Sequence, residues 1–514
     1  MRFKKSLKNL IFSFGYYGST VLCSFIMRKI MLITIGLAGV SLNSLFHEVI
    51  AMLSLSEMGI GSAIIYNLYK PLAEGNKQKI KELMNLFKRA YFLIAISILF
   101  IGLSITPFIQ YIVNSTGYNI NYIRYIYVLF VIQTAVSYCF AYKRSLLAAD
   151  QKNYVSAKTD SVFKCITIVV NTGVLIIYKR FDLYLISLII LNLFNNTCVS
   201  YKVNKIYPYL VGNKEELSNE EVKKVFSNVK NLFIGKVSGT ITNSTDNILI
   251  SIFVNTLEVG RYANYALIVN AFKQIIVQIN NAVQGSVGNL YSEGNHNHTS
   301  LVLYRMTYTY FILATVFCSG FLSAATPFVN AIFGAKYIIG IIPLIIITIN
   351  LYFHAMREPI WQMISVSGLF KEDKYIAITG TLVNLLVSVF IGMKYGISGI
   401  FLGTTCTYLI QLILKIILLY NKGFGMKGYD YITYLFKLFI LSGIIILTTN
   451  YCISLIYVEN TILKFFVYGF LSVLMSLTLL IITTFKFSEF RYFQQLFKKL
   501  LLKQREKANF KYTV

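Results

Sequence analysis

The sequence predicts an all-α, polytopic membrane protein of about 14 transmembrane helices, built as two pseudo-symmetric six-helix bundles plus two extra C-terminal helices. Composition, the length of the apolar runs and an internal repeat point there together. Of the 514 residues, 56% are hydrophobic and 13% charged, with 39 Phe, 38 Tyr and a mean hydropathy of +0.63. An average soluble domain is about 25% charged, so one aqueous core could not hide this much apolar surface. Disorder and an ordinary cytosolic enzyme are excluded, and the solvent is lipid.

A helix needs about 20 apolar residues to cross about 30 Å of hydrocarbon. Runs of that kind lie at 9–36, 40–69, 88–112, 121–142, 155–178, 182–203, 229–254, 260–290, 303–333, 338–368, 375–393, 397–420, 432–455 and 462–485. The first follows Arg2, Lys4, Lys5 and Lys8, which resemble a signal-peptide n-region. Its apolar stretch is too long for an h-region and no small-residue cleavage site ends it, so it reads as the first membrane helix.

The net charge is +27, from 48 basic and 21 acidic residues. With a cytoplasmic N-terminus, about 35 of the basic residues fall in inner segments such as Lys70 to Arg89 and Lys143 to Lys158, and about four in outer turns, as the positive-inside rule expects. That removes nucleic acid as a partner and places both termini in the cytoplasm of a multi-pass protein. The seven cysteines are scattered singly with no CxxC or Cys/His spacing, so neither a disulfide framework nor a metal site is expected. No P-loop is present, and no cofactor is expected.

The connections at 113–120, 334–337 and 456–461 leave no room for an external catalytic domain, which argues against an enzyme such as a polysaccharide polymerase or ligase. The longest inner connection holds Ser218-Asn219-Glu220-Glu221, the spacing of a capping box. The tail interleaves Phe490, Phe493, Phe497 and Leu500 with Lys498, Lys499, Lys503 and Arg505, which suits either an amphipathic helix on anionic lipid or a solvated basic tail.

The repeat is read from three anchors. Asn9-Leu10-Ile11 and Asn67-Leu68-Tyr69 bracket the first two spans, followed by Glu74-Gly75-Asn76. Asn231-Leu232-Phe233 and Asn289-Leu290-Tyr291 bracket the seventh and eighth, followed by Glu293-Gly294-Asn295, with 58 residues between brackets in each copy (67 − 9 and 289 − 231). Thr106-Pro107-Phe108 matches Thr326-Pro327-Phe328, and Tyr154 matches Tyr375, at nearly the same offset. The expected organisation is therefore an N-terminal bundle at 1–205, a linker at 206–228, a second bundle at 229–421, two helices at 432–486 and a basic tail at 487–514. Six is even, so the copies are parallel repeats, an arrangement in which transporters hold substrate near the midplane and alternate access.

Several spans carry ionisable residues: Arg28, Lys29, Glu48, Glu57, Lys164, Lys236, Asp246, Lys273, Arg357 and Glu358. Six bases facing lipid would cost on the order of 15–20 kcal/mol, above the whole stability of a typical domain, about 5–15 kcal/mol. They must face protein or water. Tyr17, Thr20, Ser24 and Arg28 share one helix face, as do Lys236, Thr240, Asn243 and Asn247. Asn270, Gln274, Gln278 and Asn281 form a polar stripe with Lys273 beside it, marking a cavity wall or a tight helix contact.

Arg28, Lys29, Lys236, Asn243, Lys273 and Arg357 are the candidate substrate-binding residues, with structural pairing as the other reading. For Arg357, an ion pair with Glu358 at a proline kink competes with substrate contact. Glu48, Glu57 and Asp246 either bind a coupling cation or proton, or neutralise nearby bases. Lys164 near an inner face suits snorkelling, Trp361 suits an inner interface, and His47 and His354 suit intrahelical hydrogen bonds. A cavity rich in Arg and Lys would replace the water around a polyanionic headgroup.

The run Glu57-Met58-Gly59-Ile60-Gly61-Ser62-Ala63-Ile64-Ile65-Tyr66-Asn67-Leu68-Tyr69-Lys70-Pro71-Leu72 resembles the second-helix signature of bacterial polysaccharide exporters of the Wzx type. Thr245-Asp246-Asn247, Val259-Gly260-Arg261-Tyr262, Arg357-Glu358-Pro359 and Gly396-Ile397-Ser398-Gly399-Ile400-Phe401-Leu402-Gly403-Thr404 are similar to family positions too. The resemblance implies the multidrug/oligosaccharidyl-lipid/polysaccharide exporter superfamily, with two six-helix bundles that alternate access. It implies a flippase in the bacterial cytoplasmic membrane that turns undecaprenyl-pyrophosphate-linked oligosaccharide units to the outer leaflet for surface polysaccharide assembly. The thirteenth and fourteenth helices would border a groove for the lipid tail, and of the family's cavity arginines only Arg28 stands in a typical place. The partners implied are the lipid-linked oligosaccharide, membrane lipids, Na+ or H+, and polysaccharide polymerase machinery. A small-molecule drug antiporter of the same fold is the alternative.

Overall fold

A computed structural model describes residues 18, 20–54, 60–114, 116–150, 152–210, 217–218, 220–222, 229–495 and 498. Over these the chain is helical, without strands among the described residues. Helix α1 covers 20–34, α2 Gly36–Leu53, α3 Ile60–Ala73, α4 Lys77–Ile105, α5 Ile120–Ala149, α6 Asn153–Tyr178 and α7 Phe181–Ile206. Then come α8 Val229–Phe253, α9 Thr256–Ser292, α10 His296–Ile332, α11 Ile341–Ser367, α12 Phe370–Tyr395, α13 Ile397–Leu418, α14 Tyr429–Ser454 and α15 Thr461–Thr484. Each expected span holds helix, the second as α2 with α3.

Among the described residues, 11 helices are long and apolar enough to cross a membrane. Helices α1, α3, α8 and α9 fall outside that set, and three of them, α1, α8 and α9, carry the polar faces read in the sequence. Helices α9 and α10, 37 residues each, would run about 55 Å at 1.5 Å per residue and so project beyond the hydrocarbon.

The repeat has a local structural counterpart. Gly75 and Gly294 both take positive φ, +67° and +75°, which a residue with a Cβ rarely adopts. The Asn after each glycine caps the next helix: Lys79 N–H donates to Asn76 and His298 N–H to Asn295, both at 3.0 Å. The proline anchors differ. Thr106–Phe108 tightens into a 3₁₀ turn, whereas Pro327 stays inside α10. The capping box is present: Ser218 N–H donates to Glu221 Oε2 and Glu221 N–H to Ser218 Oγ, each at 3.4 Å. Lys79 bonds Glu221 at 2.5 Å and holds that carboxyl below its usual range. Phe497 and the tail from 499 onward lie outside the described residues.

The chain divides into two compact units, residues 1–267 with 374–407, and 268–373 with 408–514. This division follows packing, whereas the boundaries at 205, 228 and 421 follow sequence kinship. The first unit takes in α8 and the start of α9. Ser251 Oγ donates to the Ile112 carbonyl at 2.6 Å, and Asn114 N–H donates to Thr256 Oγ1 at 2.7 Å. One core of this unit joins α3, α4, α5 and α7 through Leu68, Phe87, Tyr91, Leu146 and Val203.

Lipid is as apolar as a leucine side chain, so helices in it associate through close packing and hydrogen bonds. In the second unit α15 buries Tyr468, Ser472, Ser476, Leu480 and Thr484, a four-residue period. Tyr308 on α10 bonds Thr484 at 2.7 Å, and Gly320 lets α10 approach Ser472. Large side chains on the other faces, such as Phe100, Phe390, Phe466 and Phe470, stay exposed, as a lipid-facing surface requires. Hydroxyls within spans satisfy themselves locally, as Thr307 does on the Leu303 carbonyl at 2.8 Å.

Candidate functional site

In the first unit Arg28 is half-buried on α1 and donates from Nη1 to Ser44 Oγ of α2 at 3.2 Å. Among the described residues no carboxylate pairs with it. His47 on α2 and Tyr184 on α7 lie within electrostatic reach of its guanidinium. The His47 ring packs edge-on against Phe130, 5.2 Å between centroids. Lys29 and Glu48 are half-buried, and neither is without partners. Lys164 reaches Thr20 Oγ1 on α1 at 3.2 Å, an inter-helix contact where the sequence suggested snorkelling.

Asp246, on α8, sits in a cluster built by close helix approach. Gly399 and Gly403, four apart on α13, leave no room for a Cβ against Ile391 and Ser388 of α12. That contact brings Thr404 and Asn384 together. Thr404 Oγ1 donates to both Asp246 oxygens, at 3.3 and 3.1 Å, and the Asn384 amide lies 3.3 Å from the same hydroxyl. Asn384 is fully buried, yet its Oδ1 has no hydrogen-bond partner. A carboxylate, a hydroxyl and an amide oxygen are the donor types that hard cations take.

In the second unit two of the cations, Arg357 and Lys415, are met by carboxylates. Arg357 and Glu358 on α11, 14% and 15% exposed, form an ion pair of 3.7 Å, too long for a hydrogen bond. The guanidinium stacks 4.1 Å over Tyr408 of α13 and 5.1 Å over Trp361, and Nη2 lies 3.2 Å from His354 Nδ1. Glu358 accepts from Asn280 of α9 at 2.6 Å, and Asn280 accepts from Tyr310 of α10. Lys415 of α13 lies 3.9 Å over the Trp361 ring and 2.5 Å from Asp373 of α12. Trp361 therefore sits between two cations, where the sequence suggested an interface anchor. Lys273 is half-buried, within electrostatic reach of His354, and no hydrogen bond or ion pair to it occurs among the described residues. Here three cations, Lys273, Arg357 and Lys415, meet two carboxylates.

The expected residues thus fall into separate settings. Arg28, Lys29, Glu48 and Asp246 lie in the first unit, and Lys273 and Arg357 in the second. Lys236 and Asn243 lie on α8 with side chains outside the described residues, as does all of Glu57. On α9, Asn270, Gln274 and Asn281 are exposed, so that stripe is not a tight helix contact. Sequence reasoning did not single out Lys415, Asp373, Tyr408, Asn280 or Asn384. Lys415, near one end of its span, looks like one of the many cations of the inner face. The Gly399/Gly403 spacing was the available signal for the Asn384–Thr404 contact.

No protein-family model matches the sequence, and no curated protein matches it. Solved structures do match in fold. A lipid II flippase, MurJ, in an inward closed conformation gives a TM-score of 0.68 at 16% identity, covering 90% of this chain and 98% of that one. The chain shares the fold of that flippase. An inward-facing multidrug resistance MATE family transporter of the MOP superfamily gives 0.65 at 13% identity, covering 80% and 95%. A MATE structure in a bent conformation gives 0.53 at 14%, covering 82% and 94%. At these identities the likeness speaks for the fold.

Proposed function

We propose that the protein is a flippase for undecaprenyl-pyrophosphate-linked oligosaccharide units, carrying them from the inner to the outer leaflet by alternating access through a cationic cavity. What carries this reading is that Arg28 and Lys273, half-buried within membrane helices, have no carboxylate partner among the described residues. An uncompensated cation in such a place is expensive, and a polyanionic diphosphate entering beside it offsets that cost. Arg28 offers a planar fork to phosphate oxygens, and Lys273 a point charge. The resemblance to polysaccharide exporters and the fold shared with a lipid II flippase support the same substrate class.

Asp246, Thr404 and Asn384 are proposed to hold the coupling cation, Na+ or H+, with Asp246 supplying the charge. That acid also favours the second reading, an ion-coupled drug antiporter, whose fold the MATE structures share. The double variant Arg28→Ala/Lys273→Ala separates the two. It is expected to accumulate to normal levels with surface polysaccharide export reduced at least about tenfold, a loss of about 1.4 kcal/mol. Normal export in that variant, together with drug sensitivity on deleting the chain, would favour the antiporter.

A further inference from the structure

Within the first unit a cavity of about 670 Å³ opens between α4, α5 and the end of α7. Its wall carries Lys81, Lys88, Arg89 and Lys143 and no carboxylate. Lys81 and Arg89 have partners of their own, so the case rests on the other two. Lys143 donates to Ser200 Oγ at 2.5 Å and to Asn204 Oδ1 at 2.8 Å, both neutral, so its charge is held in place and not cancelled. Lys88 is exposed, with no hydrogen bond or ion pair among the described residues, and its like charge acts on Lys143. An ammonium group held in place and a second, exposed one that repels it gain from an anion between them.

We propose that this cavity binds the phosphate group of an anionic phospholipid. The apolar surroundings select a lipid over free phosphate. Phe92 lines the cavity, and it and Leu93 are exposed on α4, 58% and 62%, offering apolar surface to the acyl chains of a bound lipid. The cavity lies among the basic segments expected at the cytoplasmic face, where pockets of this kind meet anionic headgroups. The proposal is independent of the transported substrate.

The test uses the full-length protein, purified in detergent, with lipid retention read by native mass spectrometry. Phosphatidylglycerol, phosphatidylcholine and inorganic phosphate are compared. The wild type is expected to retain phosphatidylglycerol over phosphatidylcholine, and Lys88→Ala to weaken phosphatidylglycerol about fivefold, the effect of one lysine near an anionic lipid. Adding Lys143→Gln should bring the loss to about 25-fold, and Lys88→Arg should restore binding. Lys88 is exposed, so its variants keep the test valid even where changes at Lys143 unfold the protein. Equal retention of the two lipids, undiminished phosphatidylglycerol binding by Lys88→Ala, or Lys88-dependent binding of inorganic phosphate alone would each overturn the proposal.

Discussion

Arg28 and Lys415 are both cations within membrane helices, yet their surroundings in the two units treat them in opposite ways. Lys415 is 5% exposed, paired with Asp373 at 2.5 Å and laid on Trp361. Arg28 meets a serine hydroxyl at 3.2 Å and no carboxylate among the described residues. A buried ion pair is self-contained: removing one member strands the other, and its net contribution as a pair is small. A cation met by a hydroxyl keeps its charge available to whatever enters. The difference separates a cation that helps hold helices together from one whose charge stays available, a difference the sequence did not reveal at Lys415.

The largest expected effect tests the paired side. Lys415→Met leaves Asp373 without its counter-charge and should destabilise the second unit by about 3–5 kcal/mol. Thermal unfolding in detergent would show it, and Lys415→Met/Asp373→Leu should recover most of the loss. A single variant as stable as wild type would break the contrast.

An intermediate effect concerns Asp246, a carboxylate with hydroxyl and amide neighbours. Asp246→Asn is nearly the same shape and keeps an oxygen facing Thr404. Export should lose its dependence on Na+ or pH while the melting temperature moves little. An unchanged ion dependence would assign Asp246 to helix packing instead.

The smallest expected effect falls on stability at Arg28. Arg28→Met removes a hydrogen bond to Ser44 but also an uncompensated charge, so stability should move by about 1 kcal/mol or less in either direction, with export strongly reduced. A stability loss as large as that of Lys415→Met would place Arg28 among the structural cations.

Much of the fold was legible because its signals are local. Apolar run length marked the helices, and the paired Glu-Gly-Asn triplets marked turns that share a positive-φ glycine and an Asn cap. Ser218 and Glu221 announced a capping box that forms. The site was less legible. Arg28, Lys273 and Arg357 stood out as charges inside apolar runs, and Glu358 next to Arg357 already raised an ion pair there, but nothing along the chain announced the Tyr408 ring under Arg357 or the absence, among the described residues, of an acid against Lys273.

By itself, the sequence determined that the chain lives in a bilayer, where its helices run and how several of them start, since hydropathy and capping act over a few neighbouring residues. Only the tertiary structure decided which charges are answered. Asp373 and Lys415, or Asp246, Thr404 and Asn384, stand far apart along the chain, and small residues such as Gly399 and Gly403 draw the helices that carry them together. Charge compensation in a low-dielectric interior falls off with distance through space, and that distance is set by helix packing.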